Sequence, residues 1–249
     1  MIAVIHALWL RELKRYMRSR VQIVAALGQP VLYLLALGFG LGPVFQKAGE
    51  GNYIQFVAPG IIAMTVLFSS VFSGMGLLWD RQFGFLRETL VAPVPRIQIM
   101  FGRTLGAATV ATCQGMLVAV IAFLAGFRVS SPVALLAGIG VVLLIALLFS
   151  ALGTAVGSAL ENMQGFQIVM NFVVMPLFFL SGALFPLTNL PLAMNIATRL
   201  DPFAYGVDAL RTVLIGVTHF GLALDLAVLF VGTVILLWIG SRLFARIQV

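Results

Sequence analysis

The chain has 249 residues, 61% of them hydrophobic and only 9% charged, with a formal net charge of +7. Soluble domains carry about a quarter charged residues, so this composition, with a mean hydropathy of +1.11, excludes an ordinary water-soluble enzyme. At about 20 apolar residues per crossing, six or seven membrane helices use up the length and leave no room for a soluble catalytic domain of about 100–200 residues.

In chain order, residues 2–18 read as an amphipathic helix. At the helical period, Ile2, Ile5, Trp9, Leu13 and Tyr16 gather on one side, and Arg11, Lys14, Arg15 and Arg18 gather on the other. A basic polar face of this kind suits a helix lying at the membrane interface; a solvated segment beside the membrane is the blander alternative. The basic residues follow the apolar ones here, the reverse of a cleavable signal peptide.

Six apolar spans follow, at about 21–41, 54–79, 104–127, 132–160, 166–185 and 221–241. Gln29-Pro30 interrupts the first, Pro176 lies in the fifth, and Asp225 stands near the start of the last. Residues 80–103 form the second connection, and residues 186–220 form an insert of intermediate hydropathy before the last span. The fold class expected is an all-α integral membrane protein, a single transmembrane domain over residues 1–249.

Lys and Arg sort by side. One side receives Arg11, Lys14, Arg15, Arg18, Arg20, Arg81, Arg87, Arg96, Arg103, Arg242 and Arg246; the other receives Lys47, Arg128, Arg199 and Arg211. The positive-inside rule then puts both termini in the cytoplasm. Basic residues set between apolar runs point to anionic lipid and not to nucleic acid as partner. The single Cys113 allows no intrachain disulfide.

Small residues recur within the spans, at Gly102-x-x-x-Gly106, Gly138-x-Gly140 and Gly153-x-x-x-Gly157. They suit close helix approach, inside one subunit or between two. Gln29, Gln114, Gln167 and Asn171 are the polar residues placed deepest in the spans, lining a path or bonding between helices.

Chemistry that would do work is missing. No phosphate-cradling Gly-rich loop, acidic relay or metal-ligand spacing is present. Asp201 and Asp208, seven apart, are a poor basis for a lipid-modifying site. Uphill work would need energy from another subunit.

The second connection carries the most information. Its stretch Trp79-Asp80-Arg81-Gln82-Phe83-Gly84-Phe85-Leu86-Arg87-Glu88-Thr89-Leu90-Val91-Ala92-Pro93-Val94-Pro95-Arg96 predicts a short amphipathic helix over 83–90, stopped by Pro93 and Pro95. This segment resembles the ABC-2 family of ATP-binding-cassette permeases, which often carries Phe-Leu-x-Glu-x-Leu-x-Ala-Pro-x-x-Arg there. The run Leu180-Ser181-Gly182-x-Leu184-Phe185-Pro186, Leu190-Pro191, and Pro202-Phe203-Ala204-Tyr205 followed by Arg211 is similar to the family's second signature. The resemblance covers essentially the whole chain.

What the resemblance implies is a permease subunit of an exporter, not itself an enzyme, paired with a second permease and driven by separate ATPase subunits that bind ATP and Mg. No cofactor would be bound by this chain. Phe83, Phe85, Leu86, Arg87, Glu88, Pro93 and Arg96 would form the coupling element, with Trp9, Arg11, Lys14, Arg15 and Arg18 in the interfacial helix nearby. Pro202, Tyr205 and Arg211 would form the external signature, within re-entrant short helices at 192–200 and 203–215. Each has a blander alternative: Glu88 as a cap or a pair for Arg87 or Arg81, Arg96 and Arg103 as orientation anchors, Tyr205 and Arg211 as headgroup anchors. The Leu90-Val91-Ala92-Pro93 stretch looks more like drug-resistance and lipo-oligosaccharide exporters than capsule exporters. A bacterial inner membrane follows from the resemblance, and the apolar spans point to a hydrophobic or amphipathic cargo. A membrane scaffold and a membrane-embedded lipid enzyme are the alternatives from other classes.

Overall fold

The computed structural model describes residues 2–47, 52–85, 94–188 and 191–245. Among these the regular elements are all helices: α1 (Ile2–Arg18), α2 (Arg20–Lys47), α3 (Tyr53–Phe72), α4 (Met75–Gln82), α5 (Arg96–Leu124), α6 (Pro132–Ala159), α7 (Met163–Leu180), α8 (Leu192–Leu200), α9 (Pro202–Ile215) and α10 (Leu222–Ala245). Six helical stretches are long and apolar enough to cross a membrane: α2, α3 with α4 end to end, α5, α6, α7 and α10. The protein is an all-α integral membrane protein with six candidate spans.

Several boundaries are set by side chains that answer otherwise unpaired backbone N–H groups. Asn52 accepts from Ile54 N to open α3, Ser131 from Ala134 N to open α6, and Asn162 from Gly165 N to open α7. Pro132 sits in the first turn of α6, where its missing N–H costs nothing.

Three boundaries differ from the expectation. The break at Gln29-Pro30 does not occur, and α2 runs through it; membrane helices tolerate proline where neighbours or local adjustment answer the freed carbonyl. The third span starts at Arg96, eight residues before the expected Thr104. Its added turns are held by packing, since Ile99 and Met100 join Leu77 and Phe244 in a small buried cluster. The fifth span ends at Leu180, before the expected Phe185, where Gly182 takes a φ of 73° that a side chain would strain.

α3 is the central post. Val57 to Leu67 are buried almost without interruption, because α2, α5, α6 and α9 surround it. α6 is the second post, flanked by α10, α5 and α3. The bundle has two chemically distinct ends. At one, α1, the end of α4, the start of α5 and the end of α10 meet, with Arg96 Nη1 donating to Ala245 O at 2.8 Å. At the other, Tyr53 Oη donates to Leu184 O at 2.8 Å and Ser130 Oγ to Leu214 O at 2.7 Å. There α8 and α9 close the bundle.

Glycines fix the tightest seams. α3 gives way to α4 at Ser73-Gly74, and there it presses backbone to backbone on α6. A Cβ at Gly153 would collide with the Val71 carbonyl, and one at Gly74 with the Gly153 carbonyl. Gly102 and Gly106 of α5 likewise lie under Ile5, Leu8, Trp9 and Glu12 of α1. Both small-residue motifs thus serve contacts within one subunit. Gly153→Ala is expected to cost about 1–3 kcal/mol of overpacking strain, read as a lower unfolding midpoint of the detergent-solubilised chain. Gly140→Ala, which meets nothing within 4 Å, is expected to leave the midpoint unchanged; equal midpoints would contradict the seam.

Candidate functional site

Charges at the basic end are few, and most are paired. α1 runs beside α5 in the same direction: Ile5 lies on Gly102, Trp9 Nε1 donates to Thr109 Oγ1 at 2.9 Å, and Tyr16 lies beside Gln114. This contact seats Glu12 against Gly106 and brings Arg11 to the end of α4. Arg11 Nη2 lies 2.6 Å from Asp80 Oδ2, and Arg103 Nη1 of α5 lies 2.5 Å from the same oxygen. Arg15 Nη2 pairs with Glu12 Oε2 at 2.6 Å, and Arg11 lies 3.6 Å from Glu12 Oε1. Five side chains therefore tie α1, α4 and α5 into one node.

Arg103 is 6% exposed. A charge in such a place is tolerated only with a partner, and removing one member of a buried pair costs about 3–5 kcal/mol. Asp80 is its partner, and Asp80 also stands at the root of the connection.

The expected coupling residues fall on both sides of what the structure describes. Trp79 stacks on Phe83 with ring centroids 5.3 Å apart, and Phe83, with Phe85, is exposed. The short helix expected from Phe83 does not start there. Phe83 caps the end of α4, Gly84 follows with φ 79°, and helical backbone resumes at Phe85. Leu86, Arg87, Glu88 and Pro93 lie outside the described residues. Arg96 opens α5 and holds the last turn of α10. Of the interfacial residues, Trp9, Arg11 and Arg15 make the bonds given above, while Lys14 and Arg18 are exposed. Arg81 reaches Glu161 at 3.3 Å and Leu160 O at 3.4 Å, across the connection between α6 and α7.

At the opposite end, the expected headgroup anchors are buried. Arg211 is 6% exposed. Its Nη2 donates to Gly182 O at 3.1 Å and to Phe56 O at 3.3 Å, and its guanidinium lies 4.1 Å from the Phe56 ring centre. Burial pulls its pKa down to about 10, against the opposing pull of Asp208, so it stays charged at neutral pH. Tyr205 Oη donates to Arg199 O at 2.8 Å. Pro202 occupies the first turn of α9 behind the cap Asp201. α9 is thereby pinned to the foot of α3 and to the turn after α7.

The two spaced aspartates are occupied by backbone. Asp201 accepts from Phe203 N at 2.8 Å. Asp208 accepts from His219 N and Phe220 N at 2.9 and 2.7 Å. Both oxygens of Asp208 are thus engaged, while Asp201 Oδ2 makes no hydrogen bond among the described residues. Asp225, fully buried in the first turn of α10 with no hydrogen-bond partner for either oxygen, sits where the helix dipole favours negative charge.

The deep polar residues divide into two sets. Gln29 and Gln114 both line a cavity beside α1. Gln167 and Asn171, with Gln164 one turn earlier, form an exposed stripe along α7. Glu12 and Asp80 were not singled out by sequence reasoning, and Arg103 was weighed only beside Arg96, as an orientation anchor or part of the connection. The signal available was local: Asp80 ends a long uncharged run, and Arg103 lies eight residues beyond Pro95 inside a helical pattern.

Similarity to known proteins agrees with the geometry. Residues 3–215 match the family model described as ABC-2 type transporter. The chain is 27% identical to Nodulation protein J of Rhizobium leguminosarum bv. viciae over 243 residues, covering 96% of this chain and 93% of that protein. It is 29% identical to Nodulation protein J of Rhizobium meliloti strain 1021, covering 87% and 84%. It is also 29% identical to the Inner membrane transport permease YadH of Escherichia coli strain K12, covering 90% and 88%.

Asp80→Ala is expected to strand Arg103 and lower the folded fraction by about 3–5 kcal/mol, measured by thermal denaturation in detergent. Adding Arg103→Met should recover most of the loss, because the two effects are not additive within one pair. Burial also pushes Asp201 up to about 7, above an unfolded value of about 3.9. Its protonated form is the one the fold favours, so stability is highest below about pH 4 and falls as pH rises toward about 7. Asp201→Asn keeps the cap acceptor and should flatten that fall in the unfolding midpoint; an unchanged slope would assign the pH dependence elsewhere.

Proposed function

The chain belongs to the ABC-2 type transporter family, and from that premise we propose that this transport permease is the membrane subunit of an ATP-driven exporter. A separate ATPase subunit binds ATP and Mg and supplies the energy, and two copies of this chain form the pathway. Both termini face the cytoplasm, in keeping with the basic end of the bundle, and the membrane is a bacterial inner membrane, as in the name of the Escherichia coli relative. The cargo is hydrophobic or amphipathic and leaves the cytoplasm or the inner leaflet.

The observation that carries this reading is how the second connection is rooted. α4 leads into it and α5 leads out, and Asp80 of α4 is bonded to Arg103 of α5 at 2.5 Å. The loop is therefore a closed hairpin at its base, with Arg11 of α1 bonded to the same carboxylate at 2.6 Å. A push delivered to the segment around Glu88 by a partner moves α4, α5 and α1 as one body. The exposed Phe83 and Phe85 offer apolar surface for such a partner, and aromatic anchors are what binding hot spots favour.

The test is co-expression of the chain with the cassette ATPases of the same genome. One of them is expected to purify with the chain as a complex that turns over ATP in proteoliposomes. Glu88→Ala is expected to leave insertion and complex formation intact while uncoupling ATP turnover from transport. Failure to bind any cassette protein would overturn the reading, and unchanged transport in the variant would remove Glu88 from the coupling element.

A further inference from the structure

Between α1, α2, the α3–α4 arm and α5 lies a cavity of about 740 Å³, inside the range of small-molecule sites. Its walls change character with depth. Glu12, Arg15 and Asp80 stand at its charged end, near Trp79 and Phe83. Gln29, Thr65 and Gln114 line it further in. From Arg103 to Gln114 α5 rises eleven residues, about 16 Å at 1.5 Å per residue. Phe68, Phe72 and Val110 supply apolar wall between these levels.

Two buried polar atoms on this lining have no hydrogen bond. Glu12 is 7% exposed and Tyr16 is 8% exposed, yet among the described residues neither Glu12 Oε1, with Arg11 at 3.6 Å, nor Tyr16 Oη makes a hydrogen bond. Tyr16 lies beside the Gln114 carboxamide. Buried polar groups in native proteins are nearly always satisfied, and each exception asks for an explanation. The charges at the mouth do not ask for a counter-ion, because Glu12 is held by Arg15 and Asp80 by Arg11 and Arg103.

What remains open is an acceptor at Glu12, a hydroxyl at Tyr16 and the carboxamides of Gln29 and Gln114. A bare anion has nothing to donate to Glu12, and a quaternary ammonium has nothing to accept from Tyr16. A hydroxyl or an amide does both. We propose that this cavity is a binding site for an uncharged amphiphile whose polar end carries hydroxyl or amide groups, with its apolar part against Phe68, Phe72 and Val110. The site lies within one subunit, and only the use made of the ligand rests on the transport reading.

The probe is a monoacylglycerol bearing a diazirine in its acyl chain, photolysed with the full-length chain in phosphatidylcholine nanodiscs. Labelled peptides are expected to include those holding Tyr16, Phe68 and Gln114. Excess unlabelled monoacylglycerol should compete, while oleate and an alkyltrimethylammonium at equal concentration should not. Tyr16→Phe and Gln114→Leu keep side-chain size and should each lower cavity labelling roughly tenfold, the worth of one hydrogen bond of about 1.4 kcal/mol. Labelling around the lipid-facing Phe230 of α10 is the internal standard and should not change. If Gln114→Leu fails to fold, Tyr16→Phe and the cavity-filling Ser69→Phe decide the matter. Equal labelling in wild type and variants, oleate competing as well as the glycerol ester, or label confined to lipid-facing residues would each overturn the site. No ATPase is present in this experiment, so its failure leaves the permease–ATPase pairing standing, and the converse also holds.

Discussion

Hydrocarbon gives an ionised side chain almost no solvation, so a charged group within a bundle of this kind persists only where an opposite charge or a row of carbonyls replaces water. Asp80 meets that condition for two arginines at once, 2.6 Å from Arg11 and 2.5 Å from Arg103. Much of the basic end is arranged around it. The approach of α1 to α5, made possible by Gly102 and Gly106, is what brings Arg11 within reach. The early start of α5 brings Arg103 to the same carboxylate. Without the node, α1 would be an amphipathic helix held only by Trp9 and apolar contacts, and the connection after α4 would have no closed base.

The opposite end solves the same problem with backbone. Arg211 is met by the carbonyls of Gly182 and Phe56 and by an aromatic face, and Asp208 by the N–H groups of His219 and Phe220. The difference matters mechanically. A side-chain ion pair re-forms after a small displacement because both partners are flexible. A guanidinium that spans two carbonyls of different segments fixes them in one geometry. One end is joined by flexible side-chain pairs, the other by fixed backbone contacts.

Much of this was legible in the sequence. Span number and the side sorting of basic residues follow from hydropathy and charge counting, because each depends on neighbours in the chain; the short helices at 192–200 and 203–215 come from the family resemblance, with Pro191 and Pro202 marking their starts. The misses have a common cause. Pro30 looks like a break and is not, since tertiary neighbours decide whether a membrane helix survives proline. Arg96 to Arg103 looked like a loop before a span and is helix, because Met100 and Ile99 bury against Phe244 from the far end of the chain. Glu12 reads as one more polar residue on a basic face, and only the contact with α5 shows it to be inside. Tyr205 and Arg211 had the composition of headgroup anchors, and their burial depends on carbonyls contributed by two distant segments.

The polar stripe of Gln164, Gln167 and Asn171 on α7 has a consequence for how stability is to be defined. These carboxamides are exposed on a helix that otherwise presents Ile168, Phe172 and Phe179 outward. Held against acyl chains they keep hydrogen-bonding groups unanswered, which a bilayer penalises. A partner that covered the stripe would therefore stabilise the folded chain by mass action. The folded fraction would then vary with the density of that partner in the membrane plane, and dilution with lipid would act on this protein as a denaturant acts on a soluble one.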